Sequence, residues 1–128
     1  MGDDNAVVFR DKGSMVVSQS LIFYEVTKAF LEGNIIRLEA QRGTPEVTYN
    51  TRLFTDRNEE VWFSGFTCGK EHAGARGLCE LVSLIGWDKY VPKEEVVRIV
   101  LSNNSFRMEF HPTAPEKKMY VFNGWGKT

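Results

Sequence analysis

Apolar residues along this chain repeat with two periods, and the switches between them mark out most of its elements. In SQSLIFYEVTKAFLEG (residues 18–33), Ile22, Val26, Ala29 and Phe30 recur at i, i+4, i+7 and i+8, the spacing of one helical face. That face is the expected core side of a first helix. Ser18 or Ser20 can cap an orphan amide at its start, and Gly33 can end it. The period then drops to two. NIIRLEAQ (34–41) sets Ile36, Leu38 and Ala40 on one side, with Arg37, Glu39 and Gln41 on the other. VTYNTRLF (47–54) alternates through Val47, Tyr49, Thr51 and Leu53, and EVWFSGFT (60–67) is a third, aromatic-rich strand. Turns at 42–45 and 55–58 separate the three. Beyond Gly69 the helical period returns, with Ala75, Leu78, Leu81, Val82 and Ile85 in a stripe that Gly86 ends.

The two ends are read by composition as much as by period. VVFRDKGSMVV (7–17) resembles a small hairpin around Asp11-Lys12-Gly13-Ser14. VVRIVL (96–101), the turn Ser102-Asn103-Asn104-Ser105 and FRMEF (106–110) predict a second hairpin, because β-branched density is high and adjacent asparagines tolerate positive φ. A helix from Lys93, with Pro92 at its start and Val96, Ile99 and Val100 on one face, is the competing reading. A loop (111–118) and a last strand in MYVFNGW (119–125) complete the chain. The expectation is an α+β fold in a single domain, 1–128. It has a helix-strand-strand-strand-helix core over 18–86, an antiparallel sheet with two helices packed on one face, and a β-rich C-terminal extension over 87–128.

Charge narrows the function classes. Sixteen Lys+Arg stand against seventeen Asp+Glu, a formal net charge of −1. Charge-driven, non-specific grip on nucleic acid is therefore not expected, although a local basic patch stays open. Apolar runs are only a few residues long, so no membrane span is expected. The acidic start MGDDNAVVF carries no apolar signal core, and the two cysteines read as reduced thiols. A cytoplasmic or nuclear location follows as an expectation.

Candidate chemistry concentrates in FSGFTCGKEHAGARGLCEL (63–81). Cys68, His72, Cys79 and His111 could in number make a zinc site, but no pair has a tight ligand spacing, and Cys79 lies near the apolar stripe. Neither a metal nor another cofactor is expected. Cys68 near a helix start, one turn before His72, is the nucleophile of the alternative reading, a small cysteine-dependent enzyme. Gly69-Lys70 ahead of a helix offers amides and a cation to an anion, and Arg76 lies about two turns on. Glu59-Glu60 and Glu94-Glu95 are consecutive, so they point apart and read as solvated. Trp62 and Phe66 fall on the strand side away from Val61 and Phe63, a candidate interface or base-stacking face.

The element order over 18–86 resembles a double-stranded-RNA-binding domain. Gly43-Thr44-Pro45-Glu46-Val47-Thr48-Tyr49 is similar to that family's Gly-Pro loop leading into an aromatic second strand. Ser64-Gly65-Phe66 is similar to the Gly-rich end of its third strand. Lys70-Glu71-His72-Ala73-Gly74 falls where the family carries its Lys-Lys-x-Ala-Lys phosphate grip, and Gly77-Leu78 falls on its Ala-Ala pair. In the family, the helices and loop span successive minor grooves while the lysines hold phosphates between them. Here Glu71 and Gly74 replace two of the three lysines, and the loop histidine is absent. The resemblance implies a non-catalytic binding module whose partner is RNA or a protein, and it admits a homodimer. Lys70, His72 and Arg76 would be the nucleic-acid-binding residues.

Overall fold

The computed structural model describes residues 5–110 and the backbone of Met119–Asn123. The expected loop at 111–118, and with it His111, lies outside the described residues. Strand β1 (Val7–Arg10) leads to helix α1 (Val17–Thr27), extended by a 3-10 turn at Lys28–Phe30. Strands β2 (Ile35–Gln41), β3 (Thr51–Thr55) and β4 (Glu59–Phe63) follow, then helices α2 (Ala73–Ile85) and α3 (Lys93–Ser102). Strands β5 (Ser105–Phe110) and β6 (Met119–Asn123) come last. The fold is α+β. Among the described residues no helix is long and apolar enough to cross a membrane.

All six strands join one sheet in the order β1-β4-β3-β2-β5-β6. The expected antiparallel meander is present: β2 pairs with β3 and β3 with β4, each antiparallel. The sheet as a whole is mixed, because β1 runs parallel to β4, from Val7 opposite Glu59 to Arg10 opposite Trp62. The expected hairpin over 7–17 does not form. Buried Asp11 explains the departure, since its carboxylate accepts from the Gly13 amide at 2.9 Å, the Ser20 hydroxyl at 2.6 Å and the Ser64 amide at 2.9 Å. Those bonds tie the chain after β1 to the start of α1 and the end of β4.

Strand alternation builds the core. Leu38, Ala40, Leu53, Val61, Phe63, Phe106 and Met108 are buried, and they share one cluster with Leu78, Leu81 and Val82 of α2. The predicted α2 stripe is therefore the core stripe, and Gly86 closes that helix in the left-handed region at φ 96°. Val96, Ile99 and Val100 of α3 enter the same cluster. Residues 96–101 are thus helical, not the first arm of a hairpin. An alternating strand burying Val96 and Val100 would also drive Arg98 inward. The helix instead leaves Arg98 exposed and bonded to Glu95, while Glu94 and Glu95 lie in the first turn, where the dipole favours anions.

Helix α1 turns its predicted core face outward. Ile22, Val26 and Phe30 are 57%, 58% and 66% exposed. The inward side carries Ser20, Tyr24 and Thr27, with Val17, Leu21 and Phe23 packed against the core. Neither proposed serine caps the helix: Val16 occupies the N-cap position, and Ser20 serves Asp11 and the Gly65 amide instead.

Candidate functional site

The junction between β4 and α2 is held from several directions. Gly65 donates to Ser20 Oγ at 2.9 Å. Gly69 has φ +91°, a conformation that excludes most side chains, and its amide donates to the Val100 carbonyl at 2.8 Å. A Cβ on Gly69 would lie 2.5 Å from Asn104 Oδ1. This glycine faces the α3–β5 turn, so its amide is already engaged. His72 is the N-cap of α2, and its Nδ1 accepts from the Gly74 amide at 2.9 Å.

Lys70, His72 and Arg76 are all exposed, as expected, but they do not act as one clamp. Arg76 makes a two-pronged contact with Glu71, Nε at 2.8 Å and Nη2 at 2.6 Å. Its charge is answered within the same turn. Lys70 and His72 do border a groove of about 300 Å³ whose other wall is Gly43, Thr44, Pro45 and Val47 of the β2–β3 loop. Gly43 fastens that loop to the junction by donating to Thr67 Oγ1 at 2.9 Å.

Cys68 lacks the exposure of an activated thiol. It is buried, its Sγ lies 3.4 Å from the Asn104 carbonyl, and burial pushes its pKa up to about 12 despite Arg42 nearby. Cys79 is half-buried, and burial raises its pKa as well. Among the described residues no three His, Cys, Asp or Glu side chains come together to hold a metal.

The sheet face away from the core places two cross-strand rows side by side. One runs Arg107, Glu39, Arg52, Trp62, Arg10; the other runs Glu109, Arg37, Phe54, Glu60, Val8. Trp62 lies here, as expected, but Phe66 does not. The chain leaves strand geometry after Phe63, so two-residue counting fails, and Phe66 is 2% exposed with its ring 5.2 Å from that of Phe63. Several side chains on this face engage one another. Arg37 pairs with Glu39 at 3.2 Å, and Arg52 sits 4.1 Å from the centroid of the Trp62 ring. Trp62 Nε1 donates to Glu60 at 2.8 Å. Burial pushes the Glu39 carboxyl upward, opposed by Arg37, Arg107 and Arg52.

The surface that sequence reasoning missed is the outward side of α1. Ile22 and Val26 are exposed there, followed by Phe30 in the 3-10 turn and preceded by Met15 at 51% and Val16 at 45% exposure. A signal was available in the helix itself. Val17, Leu21 and Tyr24 make a second apolar stripe at i, i+4 and i+7, so the helix carries two candidate core faces and burying one leaves the other outward. No protein-family model matches the chain, and no curated protein or solved structure matches it either.

Proposed function

We propose that this chain is a non-catalytic binding module that docks a protein through the outward face of α1. The observation that carries this reading is the exposure of Ile22 and Val26 on α1 and of Phe30 in the 3-10 turn that follows it. Soluble monomers rarely leave such surface open, and contiguous exposed apolar surface marks interaction sites. The buried, proton-retaining Cys68 thiol favours this reading over a cysteine-dependent enzyme.

A second reading, nucleic-acid binding, has one observation in its favour. The groove that Lys70 and His72 share with the Gly43-Thr44-Pro45 loop brings together the two segments quoted for the resemblance to double-stranded-RNA-binding domains. The charge account ranks it below docking. Arg76 is spent on Glu71, and the chain's net charge is −1.

A capture experiment split into nuclease-treated and untreated halves separates the two. Docking predicts that captured proteins survive nuclease and are lost with Val26→Glu but not with Lys70→Glu. Capture that disappears with nuclease, or that Val26→Glu leaves intact, contradicts docking through α1.

A further inference from the structure

We infer that the groove between the β2–β3 loop and the β4–α2 junction is a binding site for a small amphipathic carboxylate that carries a hydrogen-bond donor, either free or as the last residue of a peptide. The inference stands apart from docking through α1, which uses a different surface.

The lining of the groove combines an unmet acceptor with donors at its rim. Asn50, 2% exposed, is among the lining residues. Its Nδ2 donates to the Gln41 carbonyl at 3.1 Å, whereas its Oδ1 has no partner among the described residues. A buried acceptor without a donor is costly, so this atom favours a guest that brings an N–H or O–H. Exchanging the two amide atoms gives no relief, because it sets Oδ1 against the Gln41 carbonyl and leaves Nδ2 the orphan. At the rim, Lys70 makes no ion pair among the described residues. His72 Nδ1 accepts from the Gly74 amide, so the neutral ring carries its proton on Nε2, which is then a donor. Glu71, between these two in sequence, is committed to Arg76, and no Asp or Glu is among the residues lining the groove. The rim therefore selects an anion. One ammonium and one imidazole N–H match the two oxygens and single charge of a carboxylate, whereas a nucleic-acid backbone asks for a row of cations.

The walls supply the apolar part. Met15, Pro45, Val47 and Phe66 line the groove. Met15 has φ 62°, a left-handed conformation uncommon outside glycine, and its amide is fixed by donating to Ser64 Oγ at 3.1 Å. Across from it, the Gly43 amide ties the β2–β3 loop to Thr67. The volume of about 300 Å³ lies at the lower end of the range for small-molecule sites.

Titration with N-acetyl-L-leucine, followed by backbone amide NMR shifts, tests the site. Saturable shifts are expected at Gly43, Thr44, Thr67 and Lys70, and none at Ile22 or Val26. N-acetyl-L-leucinamide lacks the carboxylate, and O-acetyl-leucic acid has an ester oxygen where the N–H was; each should bind about tenfold more weakly. Lys70→Met should weaken binding about threefold without moving the thermal midpoint, because Lys70 is exposed. Arg76→Met should leave binding unchanged, since Glu71 already answers that charge. A short peptide ending in leucine separates the two sources: tighter binding than N-acetyl-L-leucine assigns the site to a peptide end, and equal or weaker binding to a free carboxylate. Absence of shifts at the highest soluble concentration, shifts confined to other surfaces, or amide binding as well as acid overturns the inference. Ester binding as well as N-acetyl-L-leucine shows that water serves Asn50, and overturns it too. Val26→Glu should leave the titration intact, so failure here and failure of docking through α1 are read separately.

Discussion

Glu59 shows how one side chain can hold a connection in place. Its carboxylate is buried and accepts from the Glu32 amide at 3.0 Å, the Gly33 amide at 2.9 Å and the Thr55 hydroxyl at 2.9 Å. Burial works against its charge, yet these donors hold its pKa below the ordinary carboxylate value of 4.5. A depressed folded pKa contributes stability above 4.5, and that contribution is lost as pH falls through 4.5 toward the lower folded value. Glu59→Gln should therefore flatten the fall of the thermal midpoint between about pH 5 and pH 3. An unchanged slope in the variant would show that other carboxylates govern acid stability. Cys68 gives a second test at this scale. With its pKa near 12 it should resist a thiol reagent in the folded chain and react only after unfolding, with Cys79 reacting first. Rapid native labelling of Cys68 would reopen the enzyme reading. Neither arrangement was legible in the sequence. Glu59 looked like one of two solvated neighbours, and Cys68 like a thiol at a helix start. Their partners, Glu32 and Asn104, are distant in sequence, and spacing carries no record of them.

Helices differ in how plainly their sequences declared them. The α2 stripe was legible because a single apolar face of thirteen residues, ended by Gly86, has only one way to bury itself. Leu81 is fully buried there, and Leu81→Ala should cost about 2–5 kcal/mol in chemical unfolding. A loss under about 0.5 kcal/mol would mean the stripe is not core. Helix α3 was misread because Val96, Val97, Ile99 and Val100 favour strands locally, whereas packing beside α2 and the outward escape of Arg98 favour a helix. Helix α1 was found, but with its faces exchanged. The face chosen, Ile22, Val26 and Phe30, is the more uniformly apolar one, while the true inner face includes Ser20 and Thr27. Ser20 can be buried because it has partners in Asp11 and Gly65, which periodicity does not register. Ile22→Ser should accordingly change stability by no more than about 0.5 kcal/mol, against several times that for a buried isoleucine.

Seen whole, the strands of the sheet share one buried core with α2 and α3. The ladder Arg107, Glu39, Arg52, Trp62 and Arg10 crosses five strands, and within the face that looked open in the sequence Arg37 pairs with Glu39, Arg52 stacks on Trp62 and Trp62 bonds Glu60. The bare apolar surface lies on α1 and the turn after it, and the docking account depends on it. Hydroxyl-radical footprinting of Phe30, 66% exposed in the single chain, is its most direct measurement. The account predicts rapid oxidation of Phe30 in the free chain and strong protection in a captured complex, with Lys70 and His72 unchanged. Equal oxidation of Phe30 in the free chain and in the complex, with protection appearing instead around Lys70 and His72, would contradict it.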